Sequence, residues 1–306
     1  MIWILFENED WLPPLTSALA ARGLPFEPLF VDGGVVDLSR APREGVYVNR
    51  MSPSSHTRGH QGGVQYLREY LAYLEAHGRR VINGSMAFEL EVSKVKQEVA
   101  LRKHGIASPH TIGVVGRERL ISAAQQMPAP FITKHNQGGK GLGIQLFRSH
   151  DGFEEYVRSG ALEDDPGGVF LLQQYIEPPE PFITRVEIVD GVFQYAIASN
   201  TEQGFQLCPA DVCQVDDSFC PVGGGSKFRL REDFTAEHPL VSQLCELMRD
   251  YRIDIAGIEF VEDAEGNHYV YDINGTTNYN SDVEAEHGLS GMAAIAALIE
   301  RELHAA

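Results

Sequence analysis

The run Asn136-Gln137-Gly138-Gly139-Lys140-Gly141-Leu142-Gly143 places four glycines in six positions between two apolar segments, Phe131 to Lys134 and Ile144 to Phe147. A backbone this bare can approach a ligand closely and turn several N–H groups onto phosphate oxygens. It lacks the Gly-Lys-Ser/Thr ending of a Walker loop and leads into a strand, so neither that motif nor the dinucleotide fingerprint fits. Alone, such a hairpin is more often a plain turn. Lys134 changes the balance. It ends a segment of buried character, where an unpaired ammonium is costly and an anionic ligand would be its partner. Lys94, behind Ser93 at a helix start, reads equally as an exposed helix lysine.

A second constellation lies near the end of the chain. Asp272 and Asn274 are two apart in His268 to Asn274 and share one face of a strand. Glu259, in Ile255 to Glu262, falls opposite Asp272 around a turn at Ala264 to Gly266. Flanked by Ile258, Phe260, Tyr271 and Ile273, these oxygens read as members of a site suited to Mg²⁺ or Mn²⁺. The bland alternative is a hairpin whose acids face solvent, as Asp263 and Glu265 at the turn do.

Phe170 to Ile176 is an apolar strand that runs into Glu177-Pro178-Pro179-Glu180. Its end could offer an adenine a backbone C=O and N–H, with a carboxylate nearby for ribose hydroxyls. A strand followed by a proline turn is the plainer reading. The loop Arg50 to His60 follows a strand of a parallel sheet, where ligands tend to bind. Its Arg50, Ser54, Ser55, His56 and Arg58 could hold a substrate carboxylate, or be ordinary loop residues.

The elements that must position these groups fall into three stretches. Strands Ile2 to Phe6, Gly45 to Asn49 and Arg80 to Ile82, an extended Pro25 to Val31, and helices Leu12 to Arg22 and Gly63 to His77 predict a small parallel-sheet lobe. The middle predicts a helix over Phe88 to His104, strands near Thr111 to Val115, Pro130 to His135 and Ile144 to Phe147, and a helix near Glu118 to Gln126. The last part predicts antiparallel strands Val169 to Ile176, Thr184 to Asp190, Val192 to Ser199, Ile255 to Glu262 and Asn267 to Asn274. Helices His238 to Tyr251 and Ser290 to His304 complete it. The fold class is α/β at the start and α+β afterwards, with domains 1–83, 84–172 and 173–306 expected.

Composition narrows the partners. With 306 residues and 43% hydrophobic content the chain can bury a substantial core. A formal net charge of −18 argues against a general nucleic-acid or anionic-membrane binder. Four cysteines, Cys208, Cys213, Cys220 and Cys245, are too few for a disulfide framework and have no standard zinc spacing. Reduced thiols and a cytoplasmic setting are expected, with no segment apolar enough to span a membrane.

In their order along the chain these segments resemble the ATP-grasp superfamily, and within it the RimK-type, glutamate-ligase-like amino-acid ligases. The resemblance runs from about Asn83 to Asp282. It rests on Ser93-Lys94, Gly105 to Pro109, Pro130 to Lys134, the glycine loop, Gln173 to Ile176, Arg185 to Gly191, Gly257-Ile258-Glu259 and Asp272-Ile273-Asn274. It implies an ATP-dependent carboxylate–amine ligase working through an acyl phosphate and releasing ADP and phosphate. The alternatives are an ATP-binding scaffold and a small-molecule kinase.

By position, Lys94 and Lys134 look like the phosphate lysines, and Gly138, Gly139, Lys140, Gly141 and Gly143 like the loop over them. Gln173, Gln174, Tyr175 and Ile176 look like the adenine hinge, with Glu180 at the ribose. Glu259, Asp272 and Asn274 look like ligands of Mg²⁺ or Mn²⁺, and Arg185, with Lys134, like the catalytic cations. The resemblance further implies small-molecule or peptide substrates, no nucleic acid or membrane, and compatibility with a homo-oligomer. Two departures stand out. Asp272 replaces the usual glutamate, and Gly275-Thr276-Thr277-Asn278 replaces a common Pro-Gly turn, which puts Thr277 and Asn278 where a substrate's carboxylate or amine would bind.

Overall fold

The structure, a computed structural model, describes residues 1–138, 143–201 and 228–305. The first stretch is β1 (Ile2–Phe6), α1 (Pro13–Ala21), β2 (Phe26–Phe30), β3 (Val46–Arg50), α2 (Gly63–Ala76) and β4 (Arg80–Ile82). These strands pair in parallel in the order β2-β1-β3-β4, as the alternation of strands and helices predicts. The chain reverses its strand order around β1 and β3. The loops leaving their C-terminal ends therefore open onto the crevice where such sheets bind ligands.

The helix predicted over Phe88 to His104 is two helices, α3 (Ser85–Glu91) and α4 (Lys94–Lys103). Ser93 leaves the helical region (φ −145°, ψ 105°), and its hydroxyl accepts the Lys96 N–H as an N-cap. The Asn136 carbonyl takes the Lys94 N–H at 3.1 Å, and its side-chain oxygen takes the Val95 N–H at 3.0 Å. Apolar periodicity runs through the break; the cap chemistry stops the helix and starts the next.

A second sheet holds β5 (Thr111–Val115), β6 (Phe131–His135), β7 (Gln145–Phe147) and β8 (Val169–Gln174) in the antiparallel order β5-β8-β6-β7. Helices α5 (Leu120–Ala124) and α6 (His150–Ser159) cover one face, closing a core of Phe131, Phe147, Phe153, Phe170 and Leu172. Strand β8 runs through the boundary expected after residue 172. It pairs with β5 and β6, away from the last sheet.

The third sheet is antiparallel throughout: β9 (Phe182–Val189), β10 (Val192–Asn200), β11 (Phe228–Leu230), β12 (Ile255–Glu262) and β13 (His268–Asn274), ordered β11-β10-β9-β12-β13. Asp190 and Gly191, both at positive φ, make the tight β9–β10 turn. One face packs on α3, α4 and α7 (Pro239–Asp250) through Val186, Ile188, Leu244 and Phe260. Part of the other face shares a core with the parallel sheet, where Ile4, Val48, Val189 and Ile255 meet α9 (Gly291–Ala305); between them α8 (Ser281–His287) adds Val283. Among the described residues no helix is long and apolar enough to cross a membrane.

Glu7 fixes the loop that follows β3. It is buried at the end of β1, where it accepts from Arg58 Nε at 2.8 Å, from Arg58 Nη2 and from His60 Nδ1. Burial works against its charge, yet Arg58 and His60 hold the carboxyl below the ordinary glutamate value. A carboxyl depressed on folding contributes stability above its unfolded pKa, and that stability is lost as the pH falls through the folded value. Glu7→Gln should therefore cost about 2–3 kcal/mol at pH 7, the scale of hydrogen bonds to a charged group. The gap from the parent should shrink below pH 4.5. Thermal unfolding across pH measures both.

Candidate active site

Three cations and four buried or half-buried carboxylates meet on one face of the last sheet. Arg185 and Glu187 are two apart on β9 and so point the same way. The guanidinium donates through Nε to Glu187 at 2.6 Å, through Nη1 to Glu259 at 2.8 Å, and through Nη2 to the Thr277 hydroxyl at 2.6 Å. Thr277 in turn donates to Glu187 at 2.9 Å. A Cβ at position 257 would collide with the guanidinium, so glycine on β12 is what lets Arg185 lie across that strand. Burial opposes the Arg185 charge, but Glu187 and Glu259 outweigh it and hold the proton more tightly than usual.

The pairing of β12 with β13 sets Glu259 opposite Asp272 and Gly257 opposite Asn274. The register then shifts, leaving Tyr271 outside the ladder as a bulge. Its carbonyl, freed from the ladder, accepts from Lys134 Nζ at 3.3 Å, and its hydroxyl donates to Glu259 at 3.2 Å. Lys94, the first residue of α4, is buried and pairs with Asp272. The reading of Lys94 as an exposed helix lysine is thereby overturned: the Ser93 cap and Asn136 aim that helix start at β13.

Lys134 is 6% exposed, and the Tyr271 carbonyl is its only hydrogen-bond acceptor among the described residues. Burial pushes its ammonium down to about 8, Lys94 adds repulsion, and Asp272 and Glu259 pull the other way. Asp272 pays for burial too, but Lys94 and Lys134 hold it below the ordinary aspartate value. The two lysines thus share a carboxylate, an arrangement that a polyanion would complete.

Glu259, Asp272 and Asn274 offer two carboxylates and an amide, all hard oxygen donors. No group of three or more His, Cys, Asp or Glu among the described residues is arranged to hold a metal unaided. With Glu259 and Asp272 opposite one another and Asn274 two residues on, the set fits a divalent cation that takes its remaining oxygens from another molecule.

Arg50, at the end of β3, is buried and reaches across to the third sheet's terminal loop. It donates to the Thr277 carbonyl and to the Asn278 side-chain oxygen, both at 2.8 Å. Arg50, Thr277, Asn278 and Arg185 therefore belong to one network. Arg58 and Ser54 form a separate one with Glu7, and His56 leans on the Pro53 carbonyl at 3.2 Å. Gln173 is buried and donates to the Thr111 hydroxyl at 2.8 Å, while the Gln174 side chain accepts from the His110 N–H at 3.3 Å. The Tyr175 N–H goes to the Pro130 carbonyl at 3.2 Å, and Ile176 is half-buried. Glu180 is exposed, 3.9 Å from Arg229. Gly138 and Gly143 flank the glycine loop; Gly139, Lys140 and Gly141 lie outside the described residues, as do Cys208, Cys213 and Cys220.

Three participants carry little sequence signal. Glu187 could have been found from its two-residue spacing to Arg185. Glu91 accepts the Thr276 N–H at 2.8 Å and is pushed up to about 7 by burial, but in sequence it is one acid in a helix. Asn83, at positive φ, bonds the Ile255 and Gly275 carbonyls at 2.8 and 3.0 Å and ties the parallel sheet to the third.

Over nearly its whole length the chain superposes on the structure of D-cycloserine synthetase, covering 98% of this chain and 99% of that one, with a TM-score of 0.67 and 20% identity. A RimK domain ATP-grasp protein from Sphaerobacter thermophilus gives 97%, 99%, 0.65 and 16%. This chain has the ATP-grasp fold. One sheet is parallel and two are antiparallel, with the charged face on the third. Also matching are a D-alanine–D-alanine ligase from Bacillus anthracis complexed with ATP and the ATP-grasp ligase PsnB complexed with a minimal precursor, Mg and ADP. In sequence, the D-alanine–D-alanine ligase of Jannaschia sp. (strain CCS1) is 27% identical over 133 residues, which is 42% of this chain and 40% of that relative. No protein-family model matches.

Buried with one carbonyl acceptor among the described residues, Lys134 is poorly satisfied by its own fold. A lysine depressed on folding weakens stability near neutrality, and stability returns as the pH rises between the folded and unfolded values. Lys134→Met should keep or raise the thermal midpoint at pH 7, the parent gaining on the variant between pH 8 and 10.5.

Proposed function

We propose that the protein is an ATP-dependent carboxylate–amine ligase. The observation that carries the reading is the pair of buried lysines, Lys94 and Lys134, sharing Asp272 beside Arg185. So much buried positive charge is suited to an anion with several oxygens, such as the phosphates of ATP. The proposed reaction is attack of a substrate carboxylate on the γ-phosphate, giving an acyl phosphate and ADP. An amine then attacks the acyl carbon and phosphate leaves.

In this reading Lys94 and Lys134 bind phosphate oxygens, Lys134 as the group its own fold leaves least paired. Arg185, fixed by three acceptors, meets the charge that develops on the acyl phosphate with no reorganisation of its own. The glycine run bounded by Gly138 and Gly143 would cover the phosphates, Gln173 to Ile176 would line the adenine, and Glu180 would serve the ribose. Glu259, Asp272 and Asn274 would hold Mg²⁺ or Mn²⁺, which when bound offsets charge on phosphate oxygens. Arg50, with Thr277 and Asn278, lies on the substrate side, and the 50–60 loop is the substrate loop. The substrates are small molecules or peptides bearing a carboxylate and an amine.

The test is a screen of amino acids and dipeptides for nucleotide turnover, with hydroxylamine as a surrogate amine. ADP, phosphate and a hydroxamate are expected. AMP and pyrophosphate would sink the reading, and ADP without hydroxamate would favour a kinase. Arg50→Lys should raise KM for the carboxylate substrate several-fold more than KM for ATP. The ammonium keeps the charge but loses the fork that spans Thr277 and Asn278. Equal KM values in parent and variant would remove Arg50 from the substrate side.

A further inference from the structure

His135 ends β6 with its side chain 8% exposed, and neither ring nitrogen has a hydrogen-bond partner among the described residues. A neutral imidazole carries one donor and one acceptor, and among the described residues both capacities go unmet in a place sheltered from water. Gly143 lies against the ring: a Cβ there would come within 2.7 Å of Nε2, and φ is +74°. The ring is thus bounded on one side by bare backbone.

The surroundings say what the ring awaits. The Ser55 hydroxyl is likewise buried and unpartnered among the described residues. The Gln137 side chain donates to the Pro53 carbonyl at 3.4 Å, which brings the 53–56 loop against the chain just beyond His135. His56 is held low by burial, and repulsion from His135 contributes. Its Nδ1 faces the Pro53 carbonyl, which can only accept; Nδ1 therefore carries the proton and Nε2 presents a lone pair. Asp165 takes the Gln137 N–H at 2.9 Å and adds a buried negative charge on this side. Lys134, next along β6, alternates onto the opposite face toward Tyr271. Of the fixed charges that act on His56, Asp165 outweighs Arg58, so the balance on this side is negative.

We infer that His135, with Ser55 and His56, forms a subsite for the primary amino group of a substrate. The inference rests on the reading of the 50–60 loop as the substrate loop and extends it to a residue of the middle sheet. An amino group supplies the N–H donors that a carboxylate lacks, and Ser55 and the two rings supply the acceptors.

The test uses the whole protein with ¹⁵N-labelled histidine, probed with methylammonium and, separately, with acetate. The His135 signals among the 11 histidines are assigned with His135→Gln and independently by ring-to-backbone correlation. Methylammonium is expected to shift the His135 ring nitrogens in a saturable manner, acetate to leave them in place, and Ser55→Ala to weaken the methylammonium response several-fold. No shift with methylammonium, as when ordered water alone fills the space, would overturn the proposal. Equal shifts with both probes would overturn it as well. The experiment needs no nucleotide, so its outcome is separate from that of hydroxamate trapping.

Discussion

A guanidinium removed from water must have its donors matched, and Arg185 is matched from three parts of the chain at once: Glu187 on its own strand, Glu259 on β12 and Thr277 beyond β13. Each match constrains something else. Gly257 has to be bare, the β12–β13 register has to set Glu259 where it is, and the polar run after Asn274 has to turn back toward β9. Removing one partner would leave a buried charge short of its bonds, a change that typically costs about 3–5 kcal/mol. The charged face is therefore held from within, before any ligand arrives.

Against that satisfied group stands one that is not. Lys134 has a bulged carbonyl and a share of Asp272, which Lys94 already holds. The two cations differ in kind: Arg185 is preorganised, Lys134 is in waiting. In the proposed reading, uptake and release of the nucleotide's phosphates gain from this division, because complete pairing inside the protein would compete with the ligand.

Most of the architecture is legible in the sequence because strand alternation and turn chemistry are local. The Asp190-Gly191 turn, the facing of Glu259 and Asp272 and the two-residue spacing of Asp272 and Asn274 follow from periodicity and a count across a hairpin. What is illegible is set by distant partners. The break at Ser93 depends on Asn136, 43 residues away, and nothing near Lys94 announces that its ammonium will meet β13. His135 reads as the tail of a strand until Gly143 and the 53–56 loop enclose it. Strand β8 reads as the start of the antiparallel run, yet it pairs with β5 and β6 because Phe170 and Leu172 complete the middle core.

The core shared by the parallel sheet and the third sheet also governs the order in which the chain can become stable. Helix α9 packs on α1, β3 and β9, and Arg22 and Arg80 reach Glu300 and Glu302 at 2.6 and 2.7 Å. Residues near the start thus find much of their apolar cover only after residue 290. On a ribosome, where the N-terminal part emerges first, β1 and β3 must stay without that cover until the residues after 290 are made. The middle sheet, whose core is built from residues 114–172, can close on itself as soon as it is made. Strands made well before residue 290 are thus among the last of the described chain to be sealed.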